Sequence, residues 1–300
     1  MPRIRLQSGT LAVIALVANA LVWGVSWWPF RQLQSHGLHP LWSTALLYVI
    51  IFVLMLLLRP GSWRGMAAHP VLWWLVLAAG LTNVGFNWAV TVGDVVRVVL
   101  LFYLMPAWSV LVAWLLLGEK PTPASLLRLG LAMVGVLIVL KTPEAAWPVP
   151  QSTPDWLALM GGLSFAITNV LLRKTADTPP DARMLAMFGG GAALASAAAV
   201  IGMGQQIVPA PALALAGVPM LIGLCLAFLI SNVALQYGAA RLAASTTALV
   251  MLTEILFASG SAALLDAAEF SPRLLLGGGL IVLAALLAAL APSNDKAQTH

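Results

Sequence analysis

Charged residues are scarce in this 300-residue chain, because aspartate, glutamate, lysine and arginine together make up only 8% of it. An average soluble domain is about 25% charged, so this chain has too few charges to cover a surface that faces water. Its hydrophobic share is 61% and its mean hydropathy is +0.96. These values exclude a soluble enzyme, a disordered protein and a nucleic-acid binder, and they predict a protein embedded in the lipid bilayer.

Cysteine is nearly absent from the sequence, and this scarcity excludes two kinds of site. The single Cys225 lies in an apolar run, which excludes an intrachain disulfide and a thiolate metal cluster. The four histidines, His36, His39, His69 and His300, lack the spacing of metal ligands, and no glycine cluster precedes a lysine as in a phosphate-binding loop. The sequence also shows no nucleophile with its base and no acid pair within one apolar run. We therefore expect no enzymatic activity, no metal and no cofactor.

Long apolar runs are the dominant feature of the sequence. A helix needs about 20 apolar residues to cross a bilayer, and ten runs are of that scale. In chain order, as spans one to ten, they are 8–30, 41–58, 71–92, 98–118, 124–140, 156–172, 184–203, 213–237, 242–265 and 274–291. Short turns marked by proline or glycine separate them. The sequence predicts an all-α membrane protein with ten transmembrane helices.

Lysine and arginine are unevenly distributed over the connections between the spans. Ten lie at the termini and in the even-numbered connections, and Arg128 lies on the same side, near the start of span five. Only Arg31, Arg97, Lys141 and Arg273 lie in the odd-numbered connections. Positive residues are enriched on the cytoplasmic side of a membrane. We therefore expect both termini in the cytoplasm of a multi-pass inner-membrane or plasma-membrane protein. The scattered charges indicate orientation and not a nucleic-acid partner.

The two halves of the chain resemble each other. Asn83-Val84 recurs as Asn232-Val233, and residues 104–106 align with residues 253–255. Further upstream, residues 23–31 align with residues 165–173. Because each half has five spans, an odd number, the second half must insert upside down. We therefore predict two inverted five-helix repeats, 1–150 and 151–300, around a cavity at the middle of the membrane, an arrangement common among secondary transporters.

Three stretches resemble a known family: residues 22–26 (Val-Trp-Gly-Val-Ser), 104–106 (Leu-Met-Pro) and 115–119 (Leu-Leu-Leu-Gly-Glu). They are similar to the drug/metabolite transporter superfamily and, within it, to the ten-helix EamA-type exporters. The family's second-half Glu-Pro pair is here Glu254-Ile255, and residues 264–269 are a degenerate Leu-Leu-Gly-Glu-like ending. The resemblance implies export of amino acids or related metabolites, with helices one, three, four, six, eight and nine around the cavity. The tryptophan-rich first half is most similar to the family's aromatic amino-acid exporters.

Glu254 is the most informative single residue. It is the thirteenth residue of the run 242–265, where a charged side chain costs about 2.5–3.5 kcal/mol on insertion scales. One interpretation is a carboxyl group that faces the cavity and either binds a substrate ammonium or carries a proton. The other is a protonated acid that is hydrogen bonded to a neighbouring helix.

Polar and aromatic side chains at membrane depth complete the predicted cavity. The candidate substrate-binding residues are Asn19, Trp23, Asn83, Asn87, Tyr103, Asn169, Asn232, Gln236 and Glu254. Interhelical hydrogen bonds, at about 0.6 kcal/mol each, explain the amides equally well. Pro106 is the candidate hinge, because a proline inside a helix removes a backbone hydrogen bond and kinks the helix. All twelve tryptophans lie between Trp23 and Trp156, so an aromatic-binding surface would lean on the first half.

Two transport functions remain open at this stage. The first is export of aromatic and other neutral amino acids by alternating access. The second is efflux of cationic or amphipathic drugs with proton coupling through Glu254. In either case the expected partners are a small-molecule substrate and the bilayer, and the expected state is a monomer or a weak dimer.

Overall fold

The computed structural model describes residues 2–93, 95–140, 149–265 and 272–291. These residues contain no strand, and the all-α prediction is confirmed for them. The helices are α1 (Pro2–Val25), α2 (Trp27–Ser35), α3 (Pro40–Leu58), α4 (Gly61–Ala68), α5 (Val71–Val92), α6 (Val95–Phe102), α7 (Met105–Leu117), α8 (Pro123–Leu140), α9 (Thr153–Lys174), α10 (Pro180–Gly204), α11 (Val218–Ala239), α12 (Ala244–Met251), α13 (Glu254–Leu264) and α14 (Pro272–Ala289). Lys141 and residues 266–269 of the second ending lie outside the described residues.

Ten segments of the described chain are long and apolar enough to cross a membrane, which confirms the predicted number of spans. They are Gly9–Ser35, Pro40–Leu58, Val71–Val92, Arg97–Leu117, Pro123–Leu140, Thr153–Lys174, Pro180–Gly204, Leu215–Ala239, Ala244–Leu264 and Pro272–Ala289. Each segment overlaps one predicted run, and we give it the number of that run. With ten such segments, the chain is a multi-pass membrane protein.

Three of the spans consist of two helices each. Span one is interrupted at Ser26, between α1 and α2. Span four is interrupted between α6 and α7, where Pro106 is predicted to break the helix. Span nine is interrupted between α12 and α13 although no proline lies there. The interruptions of spans four and nine, at 103–104 and 252–253, fall at positions that the alignment of the two halves pairs.

The closest helix packing joins the first half of the chain to the second. Span three (α5) packs along α9 and α10, span one (α1) packs along α11 and α13, and span five (α8) packs against α14. Span one therefore meets spans eight and nine, and span six meets spans three and four. The two inverted repeats stay a prediction. One hydrophobic core, with residues from both halves, runs through the bundle.

Glycines bring these helices into close contact, as the glycine clusters of the sequence indicate. A Cβ atom on Gly80 of α5 would lie 2.6 Å from the carbonyl oxygen of Gly190 on α10. A Cβ atom on Gly135 of α8 would lie 2.6 Å from the carbonyl oxygen of Gly277 on α14. Helices in lipid gain no hydrophobic energy by associating, so van der Waals contact between small residues stabilises the bundle.

A first prediction concerns the α5–α10 contact. The substitution Gly190→Ala would place a methyl group on the backbone carbonyl oxygen of Val76, and we expect it to destabilise the protein by about 1–3 kcal/mol through overpacking. The control is Gly223→Ala, since a Cβ atom there meets no atom within 4 Å. The thermal midpoint of the detergent-solubilised protein should fall for the first variant and stay nearly unchanged for the second. Equal midpoints for the two variants would contradict the tight packing of α5 on α10.

Candidate functional site

A cavity lies among eight of the ten spans and encloses about 820 Å³ of space not filled by atoms, including its opening. Glu254, the eleventh of the 21 residues of span nine, places it at mid-depth. The lining residues are Trp23, Tyr48, Ala79, Thr82, Asn83, Phe86, Asn87, Phe102, Phe165, Thr168, Met187, Phe188, Phe228, Asn232, Leu235, Met251 and Glu254. Among the described residues, only spans five and ten do not contribute to it.

Aromatic rings form two walls of the cavity. On one side, the Phe228 ring contacts Trp23, with ring centroids 4.8 Å apart, and lies near Tyr48, with centroids 6.4 Å apart. On the other side, the Phe102 ring packs against Phe86 at 4.8 Å and lies 6.2 Å from Phe165. Tilted and edge-on ring contacts of this kind stabilise aromatic groups, and ring faces also attract cations. The walls therefore suit a solute with an aromatic or cationic part.

These walls come from both halves of the chain, which differs from the prediction based on tryptophan. Of the tryptophans that the structure describes, only Trp23 lines the cavity. Phe165, Phe188 and Phe228 of the second half supply rings of comparable reach. The count of tryptophans missed the contribution of the second half, because its rings are phenylalanines and the other described tryptophans do not line the cavity.

Three predicted asparagines line the cavity: Asn83 and Asn87 on α5, and Asn232 on α11. The Asn83 Nδ2 donates to the carbonyl oxygen of Ala79 at 2.8 Å, within its own helix. The Asn232 Nδ2 lies 3.5 Å from the sulfur of Met187, which is a weak acceptor. Such bonds are local or weak, so a polar solute in the cavity can replace them.

Glu254 is the only charged side chain among the lining residues, which include no lysine, arginine or histidine. Its carboxyl group interacts with the Tyr103 hydroxyl of span four. Glu254 is also the first residue of α13, and the partial positive charge of a helix N-terminus favours a carboxylate there. The geometry thus combines the two interpretations of Glu254, since the carboxyl group faces the cavity and contacts a neighbouring span.

Two helices begin near this contact. Helix α7 begins two residues after Tyr103, and α13 begins at Glu254. Interrupted helices in transporters direct such N-termini at anionic groups of their substrates. The first N–H groups of both helices are paired in this structure, since Trp108 N–H donates to the carbonyl oxygen of Leu104 and Leu256 N–H donates to that of Thr253.

Four predicted cavity residues do not belong to the lining: Asn19, Tyr103, Asn169 and Gln236. Asn19 is fully buried, and its Nδ2 donates to the Ser231 hydroxyl on α11 at 3.1 Å. The Gln236 amide is 2.7 Å from the amide of Asn232 and lies behind it. Helical spacing identifies residues that share a face, but it does not identify the neighbouring helix that the face meets.

Three lining residues were missed because their spans were not expected at the cavity. Tyr48 lies on span two, and Met187 and Phe188 lie on span seven. The rings of Tyr48 and Phe188 are 5.5 Å apart, and a Cβ atom on Gly191 would overlap the Tyr48 ring. The glycine cluster at 189–191 indicates a close approach, but nothing in the sequence shows that an aromatic ring fills the space.

Ion pairs connect span four with span six at both ends. At one end, which we call the Arg173 end, Arg173 Nε lies 2.8 Å from Glu119 Oε1 and its Nη1 donates to the carbonyl oxygen of Leu242 at 2.9 Å. At the opposite end, Arg97 Nε lies 2.9 Å from Asp155 Oδ1. Asp155 is 2% exposed and accepts two further backbone hydrogen bonds, whereas Arg173 and Glu119 are each 29% exposed. Because exposed ion pairs contribute only about 0–1 kcal/mol, the Arg173–Glu119 pair is the weaker connection.

Three fully buried side chains between the cavity and the Arg173 end have polar atoms without a hydrogen-bond partner among the described residues. They are Ser109 on α7, Asn169 on α9 and Thr247 on α12, and in Asn169 both amide atoms are unpaired. The helices α7, α9 and α12 pack against one another. An unpaired buried polar atom costs about 1–3 kcal/mol, so this group destabilises the packing that surrounds it.

Comparison with known proteins relates this architecture to transporters. Residues 10–141 match the EamA-like transporter family. An uncharacterized transporter of Pseudomonas aeruginosa is 27% identical over 169 residues, and the match covers 54% of each chain, so it spans about half the length of that relative. A protein of known crystal structure has a TM-score of 0.74 at 17% identity, over 92% of this chain and 96% of that one, and therefore shares its fold.

A second prediction separates residues that line the cavity from residues that only pack. Ser231→Ala removes the hydroxyl that accepts from Asn19, and we expect a loss of about 0.6 kcal/mol in stability without a change in solute transport. Asn232→Ala, one position along the same helix, alters a lining residue and should change transport. Thermal midpoints in detergent and transport by reconstituted protein test both. Impaired transport by the Ser231 variant at wild-type stability would contradict the assignment.

Proposed function

We propose that this protein is a secondary transporter that exports aromatic and other neutral amino acids from the cytoplasm by alternating access. The observation that supports the proposal is the cavity at mid-depth of ten apolar spans, with aromatic walls, three amides and a single acid.

The lining matches the three parts of a neutral amino acid. Glu254 is placed to pair with the ammonium group, with Tyr103 supporting its carboxyl group. The amides of Asn83 and Asn232 offer donors for the carboxylate. The aromatic walls then receive an apolar or aromatic side chain.

The interrupted spans offer points where the bundle can change shape. Pro106 follows the interruption of span four, and residues 252–253 interrupt span nine at the paired position. We propose that these are the hinges about which the halves 1–150 and 151–300 rock to expose the cavity to alternate sides. The uneven distribution of lysine and arginine supports an orientation in which both termini and the Arg173 end lie on the cytoplasmic side of the cell membrane.

A second candidate function is proton-coupled efflux of cationic or amphipathic drugs. It is favoured by one specific observation, the presence of an acid and the lack of any basic residue among the lining residues. A quaternary ammonium compound would pair with Glu254 and stack on the rings, and would leave the asparagine amides unused.

Reconstitution into proteoliposomes distinguishes the two functions. Labelled phenylalanine, tryptophan and leucine are compared with a labelled quaternary ammonium compound, with and without a pH gradient. Saturable counterflow of the amino acids supports the proposal. Transport of the quaternary compound alone, driven by the gradient, would establish the drug-efflux alternative instead.

A third prediction concerns the acid itself. Glu254→Gln keeps the size and removes the charge, and we expect the apparent affinity for phenylalanine to fall about 10- to 100-fold, since a hydrogen bond to a charged group contributes about 1.5–3 kcal/mol. Any dependence of transport on pH should also change, while expression should not. The control is Asp177→Asn, an exposed acid in the connection before α10. Unaltered transport by the Glu254 variant across the pH range would refute this role.

A further inference from the structure

One face of α9 leads from the cavity to the Arg173 end. Phe165, Asn169 and Arg173 follow one another at intervals of four residues, so they share a face of the helix. Phe165 lines the cavity, and Arg173 forms the ion pair with Glu119. Asn169 is therefore located between the cavity and the ion pair, one helical turn from each.

The other two unpaired side chains occupy the matching position on α12 and α7. Thr247 is four residues before Met251, which lines the cavity, and three after Ala244. Ser109 is four residues before Ala113 on α7. One apolar cluster contains Val112 and Ala113 of α7, Val170 of α9 and Ala244 of α12, so the three helices meet there. We call this meeting of α7, α9 and α12 the polar seam, defined by Ser109, Asn169 and Thr247.

The contacts in this structure do not explain why the residues of the polar seam are polar. Each of its three side chains is fully buried and has a polar atom without a partner among the described residues. Apolar residues of similar size would fill the same space without that cost. Buried polar groups without partners call for water, an ion or another state of the protein. Hydration of the seam in a second conformation accounts for all three residues at once.

We infer that the polar seam is the route by which the cavity opens towards the Arg173 end, closed in this structure, and that Arg173 holds it closed. The inference rests on the proposed transport function. Arg173 joins the three elements that border the seam, because it lies on α9 and contacts Glu119 after α7 and the Leu242 carbonyl before α12. In the open state the hydroxyls and the carboxamide would line a hydrated path for a zwitterionic solute.

The two ion pairs of span four differ in exposure, and this difference indicates which end of the span separates from span six. The Arg173–Glu119 pair is partly exposed, so water replaces its contacts at little cost. The Arg97–Asp155 pair is more buried, and Asp155 also caps the start of α9 through the Ser152 capping box. Spans four and six therefore stay together at the Arg97 end and separate at the Arg173 end.

Cysteine accessibility tests the seam directly, because Cys225 is the only native cysteine. In a Cys225→Ala background, Ser109→Cys and Thr247→Cys are nearly isosteric replacements, and Asn169→Cys is a third position. The matched control is Ser231→Cys, which is equally buried and lies outside the seam and the cavity lining. A charged, membrane-impermeant thiol reagent is added to right-side-out and to inside-out vesicles, and labelling rates are compared.

We expect the seam cysteines to be labelled faster than Ser231→Cys, and only from the side that bears the Arg173 end. Adding Glu119→Gln should raise the labelling rate about two- to fivefold, as expected for loss of an exposed ion pair. Asp177→Asn, an equal change of charge that does not contact Arg173, should not raise it. Seam labelling that is no faster than at Ser231, or unaffected by Glu119→Gln, in a protein that still transports would overturn the inference. Sided labelling without amino-acid transport would instead contradict the proposed function and leave the route standing.

Discussion

The carboxyl group of Glu254 is the constraint on which the rest of the structure depends, since an acid at the middle of the membrane needs polar surroundings. The bundle meets this need with the Tyr103 hydroxyl, the N-terminus of α13 and a face open to the cavity. Both helix interruptions contribute, because one directly precedes Glu254, where α13 begins, and the other contains Tyr103. The acid, the broken spans and the cavity are therefore parts of one arrangement.

The contrast between small and large residues maintains the cavity. Glycines such as Gly80 and Gly190 allow helices of opposite halves to touch along their backbones, and this contact holds the bundle together in lipid. Within the bundle, rings such as Phe228 and Phe102 pack against other rings and keep the spans apart. Towards the Arg173 end, the buried side chains of the polar seam lack hydrogen-bond partners among the described residues, and we infer that a partly exposed ion pair holds this end closed.

The fold could be predicted from sequence to a much greater extent than the site. A helix needs about 20 apolar residues to cross a bilayer, and runs of that scale identify all ten spans in the sequence. Pro106 also predicts the interruption of span four. The interruption of span nine has no proline to announce it, and Tyr48 and Phe188 reach the cavity from spans not expected there. Asn19 shares a helical face with Trp23, yet it pairs with Ser231 instead of lining the cavity. Periodicity defines a face, whereas the neighbour of that face is decided by tertiary packing.

The central claim, that a solute in the cavity contacts the carboxyl group of Glu254, is tested most directly by chemical modification. Purified protein is treated with a hydrophobic carbodiimide, and modification of Glu254 is followed by peptide mass spectrometry at increasing concentrations of phenylalanine. The account predicts that phenylalanine slows the modification of Glu254 over the concentration range in which it is transported, and leaves that of Glu119 unchanged. Modification of Glu254 at full rate in the presence of a saturating, transported solute would contradict it.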